Sequence, residues 1–413
     1  MRKICLTVVG MYLMLLHAFS QSTVPPGNPS SGTPKDSSGY QPKKLKLDEV
    51  NLVSSYYTQT GDHSAIRGGI GSEAVTDLAN GLELKWVGTD ARQRKNTLTA
   101  GIGVDHHTAA SQAWISKTGA SKRTDGLRIY PSLDWTRENE KKGSSFSLGG
   151  YYSNEFNYQS LGFSAGVNQK TKNNAEFGLK LSGYFDQVKL ILPSEFEPAG
   201  AYTIARDGEL KHPHYGSSPR ETYTASFSFS QVINTRLQAT FLLDGVYQSG
   251  YLGLPFHRVY FSDGTDSIEK LPSNRLKLPL GFRLNYFLGD KIILRGYYRY
   301  YIDSWGLRSH TASLEVPVKL TPFFSISPFY RYYTQTAVNY FAPYEQHLKS
   351  DTYYTSNYAL SKFSSNFFGA GFRLAPPKGI FGTNLSTMEI RYGHYTQTTD
   401  LISNVISLNL QFR

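Results

Sequence analysis

From Asn51 to the last residue, Arg413, the side chains alternate between apolar and polar in one short segment after another. The segment Val405 to Arg413 shows it without interruption: Ile406, Leu408, Leu410 and Phe412 share one side, and Ser407, Asn409 and Gln411 the other. Extended backbone has a side-chain period of two, so each such segment separates an apolar phase from a wet one across its own thickness. About sixteen segments of this kind can be marked by alternation and by flanking turn residues. They lie near 51–59, 78–88, 97–108, 126–136, 144–156, 160–169, 175–190 and 222–232, and then near 237–250, 276–287, 291–303, 309–319, 323–335, 362–375, 385–397 and 404–413. No stretch has the periodicity of an amphipathic helix of any length.

The connections alternate too. Tight polar turns, such as Arg137 to Gly143, Lys170 to Asn174, Gly289-Asp290 and Thr321-Pro322, follow the even-numbered segments. The long pieces, 60–77, 109–125, 191–221, 251–275 and 336–361, follow odd-numbered ones. That pattern predicts an all-β chain: a transmembrane antiparallel up-and-down β-barrel of fourteen to sixteen strands, with periplasmic turns, extracellular loops and both termini periplasmic. The terminal segment must pair with the first, because an unpaired edge strand invites aggregation. A soluble sandwich is disfavoured, since the apolar faces carry too much Phe, Tyr and Leu for a two-layer core. Trp86 and Trp135 are expected in the aromatic girdle at the inner interface, and Trp305 in the outer one.

The N-terminal segment sets the compartment. Arg2 and Lys3, the apolar run from Ile4 to Leu16 and the small residues around Ala18-Phe19-Ser20 read as a signal peptide over 1–20. Residues 21–46, rich in Pro, Gly, Ser and Lys, are expected to be a disordered periplasmic tail, and 47–413 the barrel. The single cysteine, Cys5, falls inside the signal, so the mature chain has no disulfide, thiolate metal site or thiol nucleophile. Loss of Arg2 and Lys3 lowers the formal charge from +11 to +11 − 2 = +9. An exported basic chain makes nucleic acid the least suitable partner and points to anionic lipid, lipopolysaccharide or an anionic solute. Thirty Tyr, 24 Phe and 37 Gly suit strands, and no apolar run approaches the length a membrane helix needs.

With the apolar parity toward lipid, the other parity faces the lumen. It carries Lys277, Arg283, Arg295, Arg299, Arg331, Arg373 and Arg391, with Glu315, Lys319 and Glu389 and with Tyr297, Tyr301 and Tyr333. These cations either guide anions through the pore or cross to acids of the opposite wall such as Glu83, Asp134, Asp186 and Asp244. A second group is expected at the outer rim, where Asp62 and His63 of the first loop meet Asp105, His106 and His107 at the end of the third segment, with His394 and Asp400 nearby. Paired Asp and His are general acid–base residues, so Asp62, His63, Asp105 and His107 could serve a rim hydrolase; His63, His106 and His107 are weak metal candidates. The bland alternative is a hydrogen-bonded rim that orders the first loop. Ser64 beside His63 and Asp62 is not a triad, because consecutive side chains cannot align in a relay. Gly68, Gly69 and Gly71 lack the strand-to-helix context of a phosphate cradle. Tyr-Thr-Gln-Thr recurs at 57–60, 333–336 and 395–398, always where an odd-numbered segment ends, and reads as an interfacial aromatic followed by a polar exit.

The motifs Tyr57-Thr-Gln-Thr-Gly-Asp-His-Ser-Ala65 with Gly68-Gly-Ile-Gly71, Asp105-His-His-Thr-Ala-Ala-Ser111 and Arg128-Ile-Tyr-Pro-Ser-Leu-Asp134 resemble the exported family called domain of unknown function 3570. The resemblance runs from about Leu47 to Phe412. It implies an outer-membrane setting in Gram-negative, mainly Bacteroidota-type, bacteria. It also implies a periplasmic or lipoprotein partner and a link to an extracytoplasmic flavin or redox system, and it assigns no catalytic residues. Without cysteine, any redox chemistry would belong to partners, and no cofactor of its own is expected. Taken together, the sequence predicts a channel or envelope-complex component passing a small solute, an anion if the lumenal cations guide it. A rim hydrolase and a closed docking barrel are the alternatives.

Overall fold

A computed structural model describes residues 41–413 apart from 110–125, 156, 197–202, 205–209 and 212–215. The segments expected to be a signal peptide, 1–20, and most of the tail, 21–46, lie outside the described residues. Sixteen long strands account for most of the chain. They are β1 Lys43–Thr60, β2 Val75–Thr89, β3 Lys95–Ala109, β4 Gly126–Asn139, β5 Ser144–Glu155, β6 Tyr158–Lys170, β7 Ala175–Lys189 and β8 Ser217–Asn234. The second half comprises β9 Leu237–Gly250, β10 Asn274–Leu288, β11 Ile292–Asp303, β12 Arg308–Glu315 with its continuation Val318–Lys319, β13 Phe324–Gln335, β14 Phe363–Leu374, β15 Leu385–Gln397 and β16 Ile402–Phe412.

Each strand pairs antiparallel with the next, and β16 pairs with β1 over Leu52↔Leu410 and Tyr56↔Ile406. The terminal strand therefore has no open edge, and the ring is a closed transmembrane barrel. Turns after even-numbered strands are short, with Gly143 and Asn174 supplying left-handed residues at φ 62° and 57°. A left-handed residue lets a tight connection reverse the chain, and Gly or Asn adopts it at little cost. Val316 and Pro317 interrupt β12; Pro317 has no N–H for the ladder, but its carbonyl still accepts from Ile293.

The alternation read from sequence maps onto the two faces of the wall. Ile406 is 50% exposed and Phe163 55%, whereas Ser403 and Ser407 of the other parity are 3% and 5% exposed. A soluble fold would bury the first set. Here the apolar set forms a continuous outer band on every strand, the signature of a barrel in lipid. Trp86 and Trp135 lie on that outer face near the turn end, Trp135 packing edge-on against Phe146 and under Arg137.

Three expectations need correcting. Strand β1 begins at Lys43, not near Asn51, because backbone pairing with β2 continues through a bulged, charged stretch beyond the apolar belt. Trp305 is not a girdle residue: it is 3% exposed, packs with Leu307 and Val338, and donates its indole N–H to the Asn274 carbonyl. Two of the three Tyr-Thr-Gln-Thr tyrosines, Tyr57 and Tyr395, are not interfacial aromatics: they lie on the lumenal parity, as Tyr333 does, and are buried.

Candidate lumenal site

The recurring Tyr-Thr-Gln-Thr performs the same local job three times. Tyr57, Tyr333 and Tyr395 each donate a hydroxyl proton to the Gln two residues on, at 2.8, 2.6 and 2.7 Å. Residues i and i+2 of a strand share a face, so the pair forms a clamp on the lumenal wall. The clamped Gln then grips the connection above it. Gln59 donates to the Glu73 carbonyl, Gln335 to those of Ala359 and Ser361, and Gln397 to the Thr399 hydroxyl. Tyr301 and Asp303 of β11 make a fourth clamp of the same form, with Asp303 accepting from the backbone N–H of Trp305 and Leu307.

The described parts of the connections after β1, β7, β9 and β13 are thereby folded against one another at one end of the barrel. Arg258 donates its Nε and Nη2 to the Glu195 carboxylate and its Nη1 to the Ile66 carbonyl, joining three loops. His63 stacks on Tyr358 with ring centroids 3.7 Å apart. Beneath them Glu269 accepts from the Leu254 N–H and the Thr355 hydroxyl and faces His257 at 3.5 Å. Burial opposes the charge on Glu269, but His257 and these donors together hold its carboxyl below the usual range. Burial likewise pushes His257 down.

All seven predicted cations sit on lumenal parity. Lys277 and Arg283 alternate with outward-facing Leu276, Leu278, Phe282 and Leu284, and Arg295 and Arg299 flank outward-facing Tyr298. Arg331, Arg373 and Arg391 alternate with exposed Tyr330, Tyr332, Phe372, Ile390 and Tyr392. Their acid partners are neighbours on the same side of the ring. Glu315 lies 3.8 Å from Arg295 and 3.3 Å from Arg391, which also meets Glu389 at 3.1 Å. Arg331 lies over Phe367 and Arg391 over Phe329, at 4.9 and 5.1 Å from the ring centroids. Tyr297, Tyr301 and Tyr333 point inward as expected, with Arg283 5.9 Å from the Tyr297 ring.

Two further cations join this arc. Arg275 pairs with Asp303 and lies 4.2 Å from the Trp305 ring centroid, and Arg220 pairs with Asp186 at 2.5 Å. Both fall just outside the stretches where apolar alternation marks a strand: Arg275 precedes the predicted segment at 276, and Arg220 lies in the predicted loop 191–221. Strand pairing persists beyond the apolar belt, so alternation alone truncates it. Extending each parity two residues outward would have found them.

The opposite wall, β1 to β5, is acidic. Asp105 accepts from Tyr130 at 2.9 Å and lies 3.7 Å from Arg128, while His107 lies 3.8 Å from Glu155. Asp77, Asp105, His107 and Glu155 are all buried there. The structure thus splits the residues expected to meet at the rim. Asp62 is exposed on its loop, and His63 turns to Tyr358 and to the Gly69 carbonyl at 3.0 Å, whereas Asp105 and His107 belong to the lumenal wall. His106 alternates to the outer face and is exposed, as strand geometry requires. His394 also points outward, packing on Phe368 and meeting Asn404 at 2.8 Å. Among the described residues, no group of three or more His, Cys, Asp or Glu is arranged to hold a metal.

Solved structures similar to this chain include three from Pseudomonas aeruginosa. OccK2 (OpdF) has TM-score 0.40 and 9% identity, covering 88% of this chain and 97% of that one. OccD3 (OpdP) has TM-score 0.43 and 8% identity, with 92% and 96% covered. A mutant of the ferric enterobactin receptor PfeA has TM-score 0.43 and 11% identity, with 84% and 53% covered. At that distance they carry no argument about this chain. Comparison with curated proteins gives no match. The profile of the family described as "Protein of unknown function (DUF3570)" matches residues 73–404, most of the barrel, and the chain belongs to that family.

Proposed function

We propose that this protein is an outer-membrane channel for small anionic solutes. Its long-loop end would face outward, and its turns and both termini the periplasm. The observation that carries the reading is the charge asymmetry of the wall. Along β10 to β15, Lys277, Arg283, Arg295, Arg299, Arg331 and Arg391 keep partial exposure to the lumen and Arg373 is exposed. Two acids of the same arc, Asp303 and Glu315, are buried and already engaged. Glu83, Asp134, Asp244 and Glu389 keep some lumenal exposure, but Glu83 and Asp134 lie on β2 and β4, away from the basic arc, which leaves Asp244 and Glu389 against its seven cations. A sixteen-strand ring is wide enough for an aqueous path, and an anion entering it meets a positive surface along one side. Rings or rows of Arg and Lys select anions by lowering the cost of leaving bulk water.

The test is the permeability ratio of purified protein in planar bilayers, measured before and after Arg295→Gln and Arg331→Gln. The reading requires anion preference that weakens in the double variant; an unchanged ratio, or cation preference in the starting protein, overturns it.

A further inference from the structure

We infer that Lys277 and Arg299 form an oxyanion-binding subsite, for a carboxylate or phosphate group, on the lumenal wall below the folded loops. The inference rests on the channel reading and goes beyond it, because a subsite makes passage saturable and selective.

The argument is a matching of charges. Four cations, Arg220, Arg275, Lys277 and Arg299, lie near the long-loop ends of β8, β10 and β11. The electrostatic neighbours of Lys277 are the other three and Asp303. Asp186 is taken by Arg220, which reaches it through Nε at 2.7 Å and Nη2 at 2.5 Å. Asp303 is saturated. Its Oδ2 accepts from Arg275 Nε and Nη2 and from the Tyr301 hydroxyl, and its Oδ1 from the N–H groups of Trp305 and Leu307. Lys277 stands directly opposite Asp303 in the ladder, yet the carboxylate is committed to Arg275. Among the described residues, no acid comes within ion-pair distance of Lys277 or Arg299.

Two half-buried cations next to two already neutralised ones are unfavourable unless something negative joins them. Water alone would suffice on an open surface, but here the wall between them is Pro279 and Tyr301, with Tyr297 and Tyr333 alongside. That surface offers rings and few competing acceptors. Arg299 supplies a planar fork matched to a carboxylate or phosphate edge, and Lys277 a point charge.

Trp305 gives a readout independent of transport, because the Arg275 guanidinium lies 4.2 Å from its ring centroid. Full-length protein folded in detergent would be titrated at constant ionic strength with acetate, inorganic phosphate or methylammonium, following tryptophan fluorescence. The subsite requires a saturable response to acetate or phosphate and none to methylammonium; the better binder of the two identifies the oxyanion. In both Lys277→Gln and Arg299→Gln, apparent affinity should fall by about tenfold, the scale of one lost charge-assisted contact, while Arg299→Lys should retain part of it. Folding of each variant is checked by the heat-dependent gel shift of the closed barrel, and either folded variant suffices. A non-saturable response, or equal affinity in the variants, overturns the subsite. Saturable binding without conductance would uphold the subsite and overturn the channel. Anion-selective conductance without saturable binding would do the reverse.

Discussion

Single residues decide how the loops are held. Glu269 is buried and accepts from the Leu254 N–H and the Thr355 hydroxyl, so Glu269→Ala strands two buried donors. Each unsatisfied donor costs on the order of 1–3 kcal/mol, and protease resistance of 251–273 and 336–361 should drop while the barrel stays folded. The pH dependence has a definite sign. A carboxyl held low in the folded state adds stability above its unfolded value of 4.5 and loses it as the pH falls through the lower folded value. His257, pushed down by burial, acts in the same direction: the unfolded loop takes a proton more readily below 6.5. Hydrogen exchange of the loops should therefore be slow at neutral pH and quicken on acidification; faster exchange on raising the pH from 5 to 7, after correction for intrinsic rates, would refute this. None of these contacts was legible in the sequence, because Leu254, Glu269 and Thr355 are far apart along the chain and carry no periodic signal. Trp305 misled for a related reason. An aromatic residue at a strand end fits a girdle by position alone, and only the neighbouring Leu307 and Val338 show that it is a loop core residue.

The strands, by contrast, were readable one by one. Alternation located all sixteen because lipid on one side and water on the other impose a strict parity on every residue of the wall. The same parity makes an exchange of neighbours informative. Ile406→Arg puts a charge on the lipid face and should cost about 2–4 kcal/mol in folding into bilayers if it lies near the midplane. Ser407→Arg, one residue on, enters the lumen and should cost far less; equal losses would contradict the assigned faces. Strand ends were less legible, since pairing runs past the apolar belt at Lys43, Arg220 and Arg275. The Tyr-Thr-Gln-Thr repeats show why an element can be seen and its role missed. Their spacing is plain, and parity already places Tyr333 inward, but the inward direction of Tyr57 and Tyr395 follows only from continuing the strand parity to its last residue. Gln335→Ala removes the grip on Ala359 and Ser361 and should loosen the loop 336–361 without altering strand content by circular dichroism.

At the scale of the whole barrel, the organisation is a ring with two unlike sides. Acids of β1 to β5 gather around Asp77, Asp105 and Glu155, and the cations of β8 to β15 around Lys277, Arg299 and Arg391. Between Arg391 and β1 lies β16, whose lumenal Ser403, Ser407, Asn409 and Gln411 are uncharged, so the strand that closes the ring also separates its two electrical halves. Parity assigns every charge to a face and strand order assigns it to a side, so the basic arc can be read from the sequence, but Asp186 and Asp244, expected on the opposite wall, lie on β7 and β9 beside the cations. The sequence could not show which acids would be consumed locally, since that depends on side-chain reach across neighbouring strands. The loop hub at Arg258 belongs to this scale as well. Arg258→Ala removes the guanidinium that joins Glu195 to the Ile66 carbonyl, at a local cost of roughly 3 kcal/mol, and should widen the mouth, seen as larger single-channel conductance with selectivity unchanged. The reversal potential across a planar bilayer in a potassium chloride gradient tests the central claim most directly. The account predicts a potential of the sign set by chloride permeating faster than potassium; a potential of the opposite sign, or no conductance from folded protein, would contradict it.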